Sequence, residues 1–167
     1  MALKFFTATV LAVCLSGIAP LAGAQHDPMH DHMHDEKMAG VAGFGDTRTP
    51  VRFPSELREH TLANMRDHLL SLKEIQDALS RGEFDQAAKI AEFRLGMSSL
   101  SAHGAHEVAK FMPQGMQDAG TSMHRSASRF AISLQEASIT GDLRKPLGEL
   151  AKVTASCVAC HAAYHLE

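Results

Sequence analysis

Tryptophan is absent from this sequence, tyrosine occurs once, and aromatic residues make up only 5% of 167 residues. Strand-rich folds draw on aromatic and β-branched side chains, which are thin here, whereas alanine and leucine are plentiful. The composition therefore predicts an all-helical chain. Charge of one sign is missing too. A net charge of −3 with 21% charged residues leaves no long basic stripe, which argues against nucleic acid as a partner. No Ser-His-Asp set and no glycine-rich phosphate loop stands out, so hydrolase and nucleotide chemistry have no support and the chain is read as a non-enzyme. Long apolar runs are confined to the beginning, and nothing after it is long enough to span a membrane. The length fits one domain with a tail.

The beginning reads as a targeting segment. Lys4 supplies a basic start, Phe5 to Ala19 is apolar, and Ala22-Gly23-Ala24 forms an A-x-A cleavage site before Gln25. Residues 1–24 are thus expected to be a signal peptide that exports the chain to the periplasm. Cleavage removes Cys14, leaving two cysteines, and no membrane anchor is expected afterwards. Residues 25–53 hold Gly, Pro, His, Met and Asp without a sustained apolar period, and are expected to form a flexible tail.

Helical patterning takes over in residues 54–167. A first helix is predicted from Ser55, as N-cap, to Gly82, with Leu62, Met65, Leu69, Leu72 and Leu79 on one arc and Met65 near its centre. A second runs from about Phe84 to Leu100, with Phe84, Ala87, Ala88, Ala91 and Leu95 inward. A Gly-, Pro- and Ser-rich link is expected from Ser101 to Gly120. A third helix, capped by Thr121, presents Met123, Ala127, Phe130, Leu134 and Ala137 and breaks at Gly141-Asp142. The fourth places Leu143, Leu147, Leu150, Cys157, His161 and Tyr164 on one seam, with Pro146 in its first turn. Four such helices predict an antiparallel, up-down-up-down four-helix bundle.

The chemistry is concentrated at the C-terminus, in Cys157-Val158-Ala159-Cys160-His161. Cys-x-x-Cys-His is the attachment signature of c-type haem. On a helix, residues three apart share a side, so both sulfurs can reach the vinyl groups of one porphyrin, and the next residue brings its imidazole under the iron. A redox Cys-x-x-Cys belongs with a βαβ pattern, and a zinc site asks for more Cys or His at ligand spacing. Cys157 and Cys160 are therefore read as covalent haem attachments and His161 as the proximal iron ligand.

The terminal stretch Cys157 to Tyr164 resembles the closing motif of the cytochrome c′ family. Phe111-Met112-Pro113-Gln114-Gly115 is similar to the turn in that family's long second loop, and Met65-Arg66-Asp67-His68 ahead of Gly82 resembles its first helix, where a distal Leu or Met occurs. The resemblance runs from about Pro54 to the C-terminus. It implies a four-helix bundle, one haem c, and homodimers formed through the first two helices. Two positions depart from the family: His165 stands where it has Arg, and Thr61 where it has a basic residue.

In such a bundle the end of the fourth helix lies beside the start of the first and beside the second loop. That end should gather Met65, His103, His106, Met112, Met116, Met123 and His124. Met65 is the candidate distal ligand, because it faces the core roughly 14 Å along its helix at 1.5 Å per residue. His103 and His106 are expected to be solvated loop side chains, His68 a partly buried, hydrogen-bonded one, and His165 a neighbour of the haem edge.

The tail carries a second constellation. His30, His32 and His34, with His26, Met29, Met33 and Met38 around them, combine imidazoles, which suit Cu(II), with thioethers, which suit Cu(I). They mark a weak copper site. The sequence thus predicts an exported monohaem cytochrome that passes single electrons to a periplasmic redox partner. The alternatives are a five-coordinate binder of nitric oxide or another small gas, and a copper-handling protein using the tail.

Overall fold

The computed structural model describes residues 45–167. The expected signal peptide, and the tail histidines His30, His32 and His34, lie outside them. The described residues are mostly helical, as the composition predicts.

A short strand β1 (Thr49–Val51) precedes α1 (Ser55–Ser80). Next comes α2 (Phe84–Ile90), which widens into a π-turn over Ala91–Leu95, followed by a 3₁₀ turn at Met97–Ser99. The short α3 (Ala105–Ala109), α4 (Gln114–Thr140) and α5 (Arg144–Ala163) follow, and the chain closes with strand β2 (Tyr164–Leu166).

The punctuation has local causes. Gly82 and Gly141 adopt φ of 72° and 71°, left-handed values that glycine tolerates, and they end α1 and α4. Pro54 and Pro113 sit just before α1 and α4, where a missing N–H costs nothing. Ser55 is therefore the first residue of α1 and not its cap.

One apolar core draws on all four long helices: Ile75 and Ala78 from α1, Ala87 and Leu95 from α2 and its extension, Ala127, Phe130 and Leu134 from α4, and Val153 from α5. The α4 seam is buried throughout, from Met123 to Ala137, as its spacing predicts. The other seams need correction. Leu69 is 70% exposed and Leu147 56%, while Thr61 and Ser71 are buried. The buried arc of α1 is turned relative to its leucines, because one stretch of it, from Thr61 to His68, faces a cavity and not the core.

Three boundaries differ from expectation. α4 begins at Gln114, seven residues ahead of Thr121, so most of the supposed link's second half is helix. The second helix loses α-geometry at Ala91 and stops at Gly96. A Cβ on Gly96 would meet the Glu92 carbonyl at 2.7 Å and Ser128 Oγ at 2.8 Å, so only glycine fits this crossing of α2 and α4.

The expected tail also ends earlier than residue 53. β1 pairs in parallel with β2, Val51 opposite Leu166, and Val51 and Phe53 are buried in a second apolar cluster with Val108 and Met116. Two alternating apolar residues are too short a pattern to be read as a strand alone. Tyr164 and Leu166, at the chain's other end, supply their partners.

Candidate functional site

A cavity of about 220 Å³ opens where α1, α4, α5 and the segment from Leu100 to Met112 come together. From α5 its wall takes Cys157, Cys160 and His161. A helical turn separates the two cysteines, so both sulfurs reach one side of α5. Each is half-buried and neither is bonded to the other. Burial pushes both thiols above their ordinary pKa, and the neighbouring Cys157 adds to the rise at Cys160.

From α1 the cavity takes Thr61, Asn64, Met65 and His68, the i, i+3, i+4 and i+7 positions of one face. Met65 is half-buried. Thr61 Oγ1 and His68 Nε2 are buried without a hydrogen-bond partner. Met112, Met116 and Met123 line the cavity from the loop and α4, beside His103 and His124. Six of the seven residues expected at this end thus share one wall. His106 is the exception: it is exposed on α3.

His103 is no solvated loop residue. It is half-buried, and its backbone carbonyl accepts a hydrogen bond from Asn64 Nδ2 at 3.0 Å, which ties the loop to α1. Gly104, at φ 60°, makes the turn that follows it, and His60 of α1 packs against that turn. Gln117 donates to the carbonyls of Ala109 and Met112 at 3.1 and 2.9 Å, closing off the end of α3. His165 is correspondingly displaced from its expected place: it stands in β2 opposite Pro50 and does not line the cavity.

Three imidazoles crowd this wall. The ring centroids of His68, His103 and His124 lie 4.8, 5.9 and 5.5 Å apart. His124 donates from Nδ1 to the Leu95 carbonyl at 2.7 Å, where the helix stops at Gly96. Burial lowers all three pKa values, and at His68 burial together with the neighbouring His103 and His124 brings it to about 4. Beside them Arg94 binds both Asp67 and Glu74, and its hydrogen bond to Asp67 holds that carboxyl below its ordinary range. The expected bundle topology already gathers His103 and His124 at this end, but nothing in the spacing of 35 and 21 residues announces that His68 meets them.

As the side chains stand, no three His, Cys, Asp or Glu donors among the described residues surround a common point. No helix among those residues is long and apolar enough to cross a membrane. Comparisons with family models, curated proteins and solved structures returned no match.

Proposed function

We propose that the protein is an exported monohaem c-type cytochrome that acts in one-electron transfer. The observation that carries this reading is the placement of Cys157, Cys160 and His161 together on the wall of one cavity, with Met65 on the same cavity from α1. The residues present fit the group. The two thiols are free to form thioethers, the imidazole follows directly, and the surrounding wall is largely apolar. Half-buried thiols with raised pKa values are the opposite of the low-pKa thiolate that a redox Cys-x-x-Cys uses. Among the described residues, zinc on this motif lacks the further donors that a closed site needs.

Cys157 and Cys160 would hold the haem covalently, and His161 would ligate its iron, with Met65 as the distal ligand. The bound group supplies a ferrous–ferric couple. The chain excludes water with Met112, Met116 and Met123, and presents a soft thioether at Met65. Thr61 leaves a hydroxyl without a partner at the cavity edge.

The four long helices are read as an antiparallel, up-down-up-down bundle of the cytochrome c′ kind. In support, α1 packs on α2, α2 on α4, and α4 on α5, and all four feed one core. Export to the periplasm and an external redox partner follow from the leader sequence and from covalent haem attachment. A homodimer through the first two helices belongs to the same family reading.

The test is denaturing electrophoresis of the mature protein with haem staining. A stained band that disappears when Cys157 and Cys160 are both changed to Ala supports the reading. An unstained band from the unaltered chain, produced in a host competent for haem attachment, overturns it.

A further inference from the structure

We infer that His68, His103 and His124 form a second metal site, a three-imidazole centre for a divalent first-row ion of the zinc or copper kind. The inference goes beyond the haem reading: the three rings line the same cavity, but none of them is the haem attachment or iron ligand proposed above.

Spacing is the first argument. A metal–nitrogen bond of about 2.0–2.1 Å places each ring centroid about 3.2 Å from the ion, and tetrahedral angles then separate the centroids by about 5.2 Å. The observed separations of 4.8, 5.5 and 5.9 Å bracket that figure. The rings meet edge to face or tilted, and their donors do not yet share a point. Loading therefore asks for ring rotations on side chains that are already gathered, and for no new fold.

Hydrogen bonding is the second argument. The Leu95 carbonyl can only accept, so His124 carries its proton on Nδ1 and keeps a lone pair on Nε2. Ser99 donates its hydroxyl proton to the Gly96 carbonyl at 2.7 Å. Its oxygen is then left to accept from Nδ1 of His103 at 3.3 Å, which leaves that ring's Nε2 lone pair free as well. The Nε2 of His68 is buried without a partner. Metal-bound histidines characteristically give their other ring proton to a carbonyl or an oxygen of this type. Depressed pKa values keep all three rings neutral near pH 7, as ligation requires.

Charge is consistent with an imidazole-only site. Asp67, the carboxylate whose charge acts on His68 and His103, is occupied by Arg94. Because all three rings line the cavity, the fourth coordination position would face it, as in three-ligand sites that keep one position open.

The test uses the full-length, haem-stained protein with His26, His30, His32 and His34 changed to Ala, so that the tail contributes nothing. Zinc chloride is titrated by calorimetry, and bound zinc is counted after dialysis. One equivalent is expected. It should be lost when His68, His103 and His124 are all changed to Gln. It should weaken about ten- to a hundredfold in Ser99→Ala, which removes the oxygen that faces Nδ1 of His103 at 3.3 Å and Nδ1 of His124 at 3.5 Å. If the triple variant fails to fold by circular dichroism, His103→Gln alone, on a loop, carries the same expectation of at least tenfold loss. Absence of stoichiometric zinc, or binding undiminished in these variants, overturns the site. So does a ferric haem spectrum that changes in His103→Gln while no zinc binds, because an imidazole would then be serving the haem iron. Haem staining reads the attachment separately. Should the stain be absent, the titration is repeated with Cys157 and Cys160 changed to Ser, so that zinc on thiols is not mistaken for the centre.

Discussion

The hydroxyl of Tyr164 stands directly over Gly115, so closely that a Cβ at position 115 would collide with it. One end of the relationship is the second residue of α4, the other the first residue of β2, three positions after His161. Tyr164 also packs in the cluster of Val51, Phe53, Val108 and Met116, and Cys160 packs against the same cluster. The glycine therefore fixes how the end of α5 docks.

Gly115→Ala sets two effects against each other. Alanine is about 1 kcal/mol better than glycine inside a helix, whereas overpacking costs typically about 1–3 kcal/mol. The collision should win, giving net destabilisation of about 1 kcal/mol in urea unfolding. In a Tyr164→Phe background, where the colliding oxygen is gone, the same change should become neutral or stabilising. A double-mutant cycle without coupling would show that Tyr164 simply swings aside.

Much of the helical content was legible because long periodic segments announce themselves. The α4 seam from Met123 to Ala137 is the clearest instance, and the stops at Gly82 and Gly141 follow from glycine's access to positive φ. Other features were hidden for physical reasons. Leu69 lies among leucines yet faces solvent, because α1 spends part of its inward face on Met65 and His68 at the cavity. Gly115 and Gly120 look like loop residues, but Pro113 starts a helix that runs through both. Cys157, Cys160 and His161 are singled out by spacing alone, and the fold brings them to one cavity. The cluster of His68, His103 and His124 is not singled out in this way, since it depends on a break at Gly96 that turns the Leu95 carbonyl toward His124.

Asp142 gives a pH dependence with a definite sign. Its Oδ1 accepts from the Arg144 backbone N–H at 2.9 Å and from Arg144 Nε at 3.1 Å, closing the turn into α5. The side-chain hydrogen bond from Arg144, followed by the backbone one, lowers its pKa from 3.8 to about 2. The folded state thus favours the ionised carboxylate. That stability is fully present above pH 3.8 and is lost as pH falls toward about 2. Asp142→Asn should flatten this part of the acid-unfolding curve and leave the slope above pH 5 alone. An identical acid limb in both proteins would show that the exposed pair is too well solvated to matter.

The tail histidines make a separable prediction. Changing His30, His32 and His34 to Ala should leave the thermal unfolding and the haem spectrum of the protein unaltered. It should also remove weak copper binding, since these three form the dense imidazole run of the tail. Calorimetric titration with copper(II) of both proteins decides it. Equal stoichiometry in the two would place the copper elsewhere.

Met65 decides between an electron carrier and a gas binder. It lines the cavity shared by Cys157, Cys160 and His161, and its thioether is the soft donor offered from α1. A Met ligand favours ferrous over ferric iron and raises the potential, which suits a carrier. Met65→Ala should then convert low-spin ferric haem to high-spin, abolish the thioether charge-transfer band, lower the potential, and admit nitric oxide to the vacated position. Truncating a methionine costs about 2–5 kcal/mol in a full core and less at a half-buried position such as Met65, so lost stability alone says nothing about ligation. The spin state separates the two roles, because removal of a packing residue leaves the iron's ligands in place. An unchanged ferric spectrum in Met65→Ala would reduce Met65 to packing: a high-spin one would mean an empty distal position, the arrangement of a gas binder, and a low-spin one would mean that another side chain of the cavity, such as His103, Met112 or Met116, holds the iron.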